Sequence, residues 1–244
     1  MKKGKIIIAN WKMNFLLKDA SIFIKKILLK QKLFKHNLII CPPSTIISPI
    51  AKIINKKIKL GAQNCHWEKF GSYTGEISPL MLKDIGCSHV IIGHSERRQY
   101  HHENNEIIRK KIDNLIQHKL KVIMCIGESL DIKKKGKTLF FLSKQLKESI
   151  PKNISDTSLS IAYEPIWSIG SGLIPAMTEI IEIHRFIKKI IIKINKNYKN
   201  IKIFYGGSIN EKNAKKILQI DDVDGLLIGG TSLKYKKLLS ILSI

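Results

Sequence analysis

Residues 159–164 read LSIAYE, a short apolar run that favours a buried β-strand and ends in a carboxylate, Glu164. Comparable apolar runs recur along the chain. They cover residues 5–10, 37–41, 58–64, 89–94, 121–127, 201–207 and 224–230. Amphipathic stretches with helical spacing lie between them, including 19–34, 103–120, 138–150 and 179–195. Continuously apolar strands separated by helices predict a parallel sheet that is covered on both faces.

The number of strands selects the architecture. Eight strand–helix units within 244 residues predict a closed (β/α)8 barrel of the α/β class, whereas a doubly wound sheet normally has fewer strands. Two small domains would also accommodate a chain of this length with 44% hydrophobic residues. Since no Pro/Gly/Ser-rich linker divides the chain, we expect residues 1–244 to form a single domain.

The start of the chain and its cysteines bear on the compartment. Residues 1–14, MKKGKIIIANWKMN, have the basic start of an export signal, but their apolar run stops at Asn10 and Lys12. No apolar run approaches the roughly 18 residues of a membrane span. The four cysteines are scattered without ligand-like spacing, which predicts reduced thiols, no metal site and a packing role for Cys125. We therefore expect a cytoplasmic protein with no membrane partner.

The charge is strongly basic, with 43 Lys and Arg against 19 Asp and Glu, for a formal net charge of +24. Such an excess normally suggests nucleic-acid binding. Here the lysines spread through most helical segments instead of forming one stripe, and the accompanying Ile and Asn are typical of AT-rich coding. A nucleic-acid partner is therefore disfavoured, although the field would attract an anionic small substrate.

The carboxyl ends of barrel strands meet at one mouth, and polar residues or glycines stand at these ends. They are Asn10, Lys12, Gln63, Asn64, His94, Ser95, Glu128, Glu164, Ser208, Gly229 and Gly230. Glycine-rich turns follow the late strands at 169–172, 206–208 and 229–230. Because glycine lets backbone N–H groups approach an anion, these turns predict a phosphate-binding cradle.

Three other segments resemble known functional motifs, but each lacks a residue that its motif requires. Gly136 to Thr138 resembles the end of a P-loop, but Asp131 stands where its first glycine is needed. Residues 93–97, GHSER, resemble a nucleophile elbow, but Arg97 replaces the closing glycine. Residues 101–103, HHE, lack the second histidine of a helical zinc site, which favours a solvated loop.

Lys12, His94 and Glu164 remain, each beside a different strand end. A carboxylate can remove a proton from a carbon next to a carbonyl, while an imidazole and an ammonium stabilise the negative charge that builds on the oxygen. These groups suit enolisation of a small phosphorylated carbonyl compound. On residue type alone, a core role for His94 stays open.

Eight segments resemble those of the triosephosphate isomerase family, in order and nearly end to end. They are ANWKMN (9–14), GAQN (61–64), YTGEIS (73–78), IIGHSERR (91–98), CIGE (125–128), AYEPIWSIGSG (162–172), YGGSI (205–209) and DGLLIGGTSL (224–233). The AYEPIW and GHSERR segments are highly specific to the family. The resemblance implies a TIM barrel that serves glycolysis and gluconeogenesis as an isomerase, without cofactor or metal.

The resemblance also implies a role for each matching residue. Glu164 would move a proton between adjacent carbons of dihydroxyacetone phosphate and D-glyceraldehyde 3-phosphate, with His94 as the neutral electrophile. Asn10 and Lys12 would hold the substrate, Glu96 would contact Lys12, and Ser95 would add a supporting hydrogen bond. The phosphate would bind to the backbone N–H groups of Gly170, Ser208, Gly229 and Gly230.

Residues 165–172, PIWSIGSG, resemble the mobile lid of the family. Closure would place Ile169 over Glu164, with Leu227 on the other side, and this apolar cover would raise the basicity of the carboxylate and exclude water. This segment and the residues after it depart from the family pattern in two places. Leu173, Ile174, Pro175 and Ala176 replace the usual Lys and small polar residues of the far hinge, which puts the rates of lid motion in doubt. Ser168 replaces a more usual Ala, which we expect to be a minor change.

Residues 65–78 resemble the long loop that inserts into a partner subunit in this family, which implies a homodimer. Thr74, Gly75 and Glu76 would lie in the interface, and Thr74 would reach toward Asn10 and Lys12 of the other chain. Two alternatives from other classes remain: a nucleic-acid-binding protein, suggested by charge alone, and another phosphate-binding barrel enzyme such as an aldolase. The aldolase would need a Schiff-base lysine, a role that the residues around Lys12 do not favour.

Overall fold

Eight parallel strands pair in chain order, and the last pairs with the first, which closes the sheet into a barrel. The computed structural model describes residues 4–152 and 158–244. The strands are β1 (Ile6–Asn10), β2 (Asn37–Cys41), β3 (Ile58–Ala62), β4 (His89–Ile92), β5 (Lys121–Ile126), β6 (Leu159–Tyr163), β7 (Lys202–Tyr205) and β8 (Gly225–Ile228). The predicted (β/α)8 barrel is confirmed.

Most strands end shortly before the predicted runs do, because the chain leaves the sheet at the residues that form the mouth. After β4, Gly93 has a φ of +68°, a left-handed value that glycine adopts readily, and this turn directs His94 out of the strand. After β6, the Glu164 N–H donates to the carbonyl of Ile126 at 2.8 Å, which holds the acid beside the end of β5. The strand register thus brings these two residues to the same end of the barrel.

Helices surround the barrel. In the described residues they are α1 (Leu17–Leu29), α2 (Ser44–Ala51), α3 (Pro79–Asp84), α4 (Ser95–Tyr100), α5 (Asn105–Gln117), α6 (Leu130–Lys134), α7 (Thr138–Ser149), α8 (Met177–Ile194), α9 (Ala214–Leu218) and α10 (Tyr235–Ser243). In α8, Ile180, Ile183, Ile187 and Ile191 are buried at helical spacing, which packs one apolar face onto the sheet. No helix in this described part is long and apolar enough to cross a membrane.

The core has two layers because successive strand residues point to opposite faces of the sheet. Inside the barrel lie Ile8, Ile39, Cys41, Ile91, Ile123, Cys125, Ala162, Phe204 and Leu227. The outer layer packs between strands and helices, as Ile7 and Ile24 do. All four cysteines are buried and unpaired, and Cys125 belongs to the interior layer, which agrees with its predicted packing role. The filled interior makes an apolar floor beneath the polar mouth.

The HHE segment differs from the predicted solvated loop. His101 and His102 are exposed, but Glu103 is only 6% exposed and its Oε1 contacts Arg97 Nε and, at 2.6 Å, Lys111 Nζ. Lys111 Nζ also donates to Asn64 Oδ1 at 2.9 Å. A buried carboxylate is stable only when it is paired and hydrogen-bonded. The prediction was therefore wrong for Glu103, which links α4 and α5 to the end of β3.

We expect Glu103→Gln to lower the free energy of unfolding by roughly 3 kcal/mol, because it leaves the buried Lys111 ammonium without its counter-ion. Urea unfolding measures this change. Glu106→Gln is the matched control, since Glu106 pairs with Lys110 on the exposed face of α5. We expect the control to unfold at the same urea midpoint as the parent. Equal midpoints for both variants would show that the Glu103 contacts do not stabilise the fold.

Candidate active site

A cavity of about 320 Å³ opens at the carboxyl ends of the strands. Its lining includes every residue for which the family resemblance implies a substrate contact, together with both residues of the predicted apolar cover: Asn10, Lys12, His94, Glu164, Ile169, Gly170, Ser208, Leu227, Gly229 and Gly230. A second cavity of about 320 Å³ lies at the opposite end, beside His89, Lys121 and Lys202. None of the described residues that line this second cavity is a carboxylate, so we assign the chemistry expected from the sequence to the first cavity.

Glu164 lies directly after β6, and its side chain is almost completely buried. Oε1 lies 3.2 Å from His94 Nε2, and Oε2 accepts the Ser95 N–H at 3.4 Å. Burial acts to raise the pKa of Glu164, but the charge and hydrogen bond of His94, with hydrogen bonds from Ser95 and the Cys125 thiol, lower it overall. The pKa is lowered here because three donors face the carboxylate, and the increase in basicity expected on closure of the lid stays a prediction.

His94 stands immediately before α4 and is 5% exposed. Its Nδ1 accepts the backbone N–H of Glu96 at 3.2 Å, while Nε2 points at Glu164. A neutral imidazole satisfies both contacts only with its proton on Nε2, the tautomer assigned here. Burial acts to lower the pKa of His94, but the charge and hydrogen bond of Glu164, together with the charge of Glu96, offset this and raise the pKa overall. The ring thus presents an N–H donor to the cavity.

Lys12 is held in a left-handed conformation, with a φ of +51°. Its N–H donates to Asn10 Oδ1 at 3.0 Å, and its carbonyl accepts from Gln63 Nε2 at 2.9 Å, so polar side chains at the mouth stabilise this uncommon backbone. Lys12 Nζ lies 2.7 Å from Glu96 Oε1, as the resemblance implied. Gln63, which was predicted only to stand at the mouth, also donates to the Cys41 carbonyl at 3.0 Å and so ties the Lys12 loop to β2.

Two glycines give Glu164 its space, and sequence reasoning did not identify this role. A Cβ at Gly206 would lie 2.9 Å from Glu164 Cγ, and one at Gly127 would lie 1.8 Å from the Glu164 carbonyl oxygen. Such contacts are too short for any side chain. The run GG after β7 therefore makes room for Glu164, in addition to its predicted part in the phosphate cradle.

The predicted lid begins with a short 3₁₀ turn, Ile166–Ser168. Gly170 and Gly172 have φ values of +71° and +79°, and both are exposed, as is Leu173. Ile169 is half-buried over the cavity, and Leu227 is buried. Left-handed glycines at the tip, with few packing partners, are typical of a segment that moves readily.

Glu128 does not face the cavity, although the sequence placed it among the residues of the mouth. It is fully buried, and its Oε1 accepts from Trp167 Nε1 at 2.8 Å and from the Tyr163 hydroxyl at 3.2 Å. Its carbonyl accepts the Ile166 N–H at 3.0 Å. Glu128 therefore anchors the first hinge of the lid, because the tryptophan in PIW needs an acceptor and a strand-end carboxylate lies within reach.

The turns after β7 and β8 form one wall of the cavity. Asn213 Nδ2 donates to the Ser208 carbonyl at 3.1 Å, and Thr231 Oγ1 donates to the Ile209 carbonyl at 2.6 Å. The first bond closes the turn after β7, and the second holds the turn after β8 against it. At Gly230, an added Cβ would meet no atom within 4 Å, so this backbone is open to the cavity. Peptide N–H groups in such turns suit an anion.

The residues predicted for a dimer interface lie outside the cavity. Thr74, Gly75 and Glu76 are exposed, and the same loop exposes 69% of Phe70 and 43% of Tyr73.

Within residues 4–152 and 158–244, no three His, Cys, Asp or Glu side chains come together in a way that could hold a metal ion.

Residues 5–244 match the family model described as triosephosphate isomerase. The chain belongs to the triosephosphate isomerase family. It is therefore an isomerase, as the sequence predicted.

Relatives within the family are similar along almost the whole chain. The triosephosphate isomerase of Thermodesulfovibrio yellowstonii is 42% identical over 240 residues, which cover 97% of this chain and 98% of the relative. That of Aquifex aeolicus is 39% identical and covers 94% of each chain. The crystal structure of triosephosphate isomerase from Bartonella henselae superposes with a TM-score of 0.88 at 37% identity, covering 97% of both chains.

We expect Glu164→Gln to lower the pKa of His94. Without the carboxylate, burial and the positive charge of Lys12 act on the imidazole and favour its neutral form. NMR titration of the imidazole nitrogens measures the pKa in parent and variant. Ser95→Ala is a control, because it keeps the backbone N–H that faces Glu164. A His94 pKa that is equal or higher in Glu164→Gln would contradict the coupling.

Proposed function

We propose that this protein interconverts dihydroxyacetone phosphate and D-glyceraldehyde 3-phosphate through an enediolate. The observation that carries the proposal is that the Glu164 carboxylate and the His94 Nε2–H lie 3.2 Å apart and both line a cavity walled by glycine turns. A base and an electrophile at this spacing suit proton transfer at a carbon beside a carbonyl.

Glu164 is the proposed base. Its lowered pKa keeps it ionised at neutral pH, so that it can accept a proton without prior activation. A substrate carbonyl that accepts the His94 N–H would remove the strongest of the contacts that lower this pKa. Closure of Ile169 against Leu227 would then leave burial as the main influence and raise the basicity of the carboxylate during the reaction.

His94 and Lys12 are the proposed electrophiles. Nε2–H would donate to the substrate oxygens in turn, and the Lys12 ammonium would stabilise the same negative charge, with Asn10 beside it. Glu96 Oε1 accepts a hydrogen bond from Lys12 Nζ at 2.7 Å, which holds the ammonium in an ion pair. A charged, paired ammonium is unsuited to forming a Schiff base, and this disfavours the aldolase alternative.

The phosphate would bind to N–H groups of Gly170, Ser208, Gly229 and Gly230, with Gly170 delivered by closure of the lid. The net charge of +24 would draw an anionic substrate toward the mouth. On this proposal the chain acts as a single domain in the cytoplasm, in glycolysis and gluconeogenesis, and needs no cofactor. A nucleic-acid partner remains disfavoured.

A homodimer is part of the proposal. A crevice of about 210 Å³ beside the active site is lined by residues that include Asn10, Lys12, Met13 and Asn64. Met13 is 95% exposed, and the loop around Thr74 exposes apolar side chains of its own. A loop with exposed apolar side chains and a crevice that carries the exposed Met13 suit reciprocal insertion about a two-fold axis, which would place Thr74 beside Lys12 of the partner subunit.

Glu164→Gln tests the catalytic assignment. We expect it to reduce turnover of D-glyceraldehyde 3-phosphate by about 10³-fold, because the amide keeps the shape of the side chain but cannot accept the proton. A coupled assay measures turnover, and binding of a phosphorylated enediolate mimic serves as the control for an intact site. Near-parental turnover would remove Glu164 from the role of base.

Thr74→Arg tests the dimer. The arginine side chain is larger than threonine, and its positive charge would be repelled by the partner's Lys12. We therefore expect sedimentation to shift toward the monomer and activity to fall in parallel. Lys69→Arg, in the exposed part of the same loop, is the control and should sediment as the parent does. An intact and fully active Thr74→Arg dimer would contradict the assignment of this loop.

A further inference from the structure

The Ser168 side chain joins the lid to the phosphate wall through one buried hydroxyl. Ser168 is fully buried. Its Oγ donates to the Leu173 carbonyl at 2.6 Å and accepts the Ser208 N–H at 3.0 Å. The sequence predicted that a serine here would be a minor change. Instead, the hydroxyl bridges the far part of the lid and the turn after β7.

The hydroxyl has room for this bridge because Gly207 has no side chain. A Cβ at Gly207 would lie 2.9 Å from Ser168 Oγ and 2.2 Å from the Tyr205 hydroxyl. The single proton of Ser168 goes to Leu173, so the hydroxyl can face Ser208 only as an acceptor. The two bonds therefore define its orientation.

The bond matters because the Ser208 N–H is one of the proposed phosphate donors. A backbone N–H carries one proton and makes one strong hydrogen bond at a time. In this structure that proton points at Ser168 Oγ at 3.0 Å. A phosphate oxygen is the stronger acceptor because it is charged, but it must replace the internal bond to gain the donor.

We propose that Ser168 is a positioning residue that weakens phosphate binding by competing for the Ser208 N–H, and that it couples this competition to the lid through Leu173. The inference rests on the proposed phosphate site. When phosphate accepts the hydrogen bond from the Ser208 N–H, the Ser168 hydroxyl loses one of the two bonds that orient it. Its remaining bond to the Leu173 carbonyl is then easier to exchange. Occupation of the cradle and release of the lid are thereby linked.

The test compares Ser168→Ala with the parent, using inorganic phosphate as the probe. Titration followed by ¹H–¹⁵N NMR gives the Kd and reports on the Ser208 amide directly. We expect the variant to bind phosphate about three- to tenfold more tightly, the effect of one hydrogen bond no longer lost on binding. We also expect the Ser208 amide resonance to shift before phosphate is added. A merely structural role for Ser168 predicts the opposite, weaker binding.

Ser171→Ala is the matched control. Its Oγ donates to the Ser168 carbonyl at 3.0 Å and accepts the Leu173 N–H at 3.1 Å, so its loss loosens the same lid without freeing the Ser208 N–H. We expect its Kd for phosphate to equal that of the parent. Equal tightening in both variants would overturn the proposal, since lid loosening alone would then explain the change. Ser168→Cys, which keeps a weak acceptor of similar size, should give an intermediate Kd.

The outcomes separate this inference from the proposed function. If the parent binds phosphate and perturbs the Ser208 amide, but Ser168→Ala binds no more tightly, only the competition by Ser168 is wrong. If the parent shows no phosphate-dependent shift at Ser208, the proposed cradle and the inference both fail.

Discussion

Closure of the barrel through the pairing of β1 with β8 is the constraint on which the site depends. Parallel strands in a closed ring have all their carboxyl ends at one rim, so residues far apart in the sequence meet there. Asn10, His94 and Glu164 follow or end three different strands and line one cavity. The interior layer of isoleucines and other apolar residues fills the barrel below them. Polar groups at the rim are consequently close together and poorly hydrated.

Poor hydration makes each ionised group depend on its partners. Burying an unpaired carboxylate costs several kcal/mol, yet Glu164 is 2% exposed. Donors from His94, Ser95 and Cys125 offset this cost and lower the pKa of Glu164 overall. The same contacts must be exchanged when a substrate enters. On the proposed function, this arrangement would keep the base ionised, and closure of the lid over the reacting carbon would leave it in an apolar environment.

The sequence predicted the barrel and the residues of the cavity, since strand periodicity and strand-end chemistry are local signals. Features that depend on side-chain direction were not predictable in this way. Glu128 stands at a strand end like Glu164 but turns toward Trp167. Glu103 lies in a polar segment but is buried in an ion pair with Lys111. The lowered pKa of Glu164 depends on the direction in which the His94 ring points. The space that Gly127 and Gly206 leave for Glu164 appears only when distant backbones are placed together.

The central claim is that Glu164 carries a proton between two carbons. Isomerisation of D-glyceraldehyde 3-phosphate in D₂O, with the product analysed by NMR, tests it most directly. A proton held on a carboxylate can exchange with solvent before it returns to carbon, so the account predicts dihydroxyacetone phosphate with deuterium on the carbon that receives the proton. A product without deuterium at that carbon at any stage of the reaction would contradict the account and indicate direct hydride transfer.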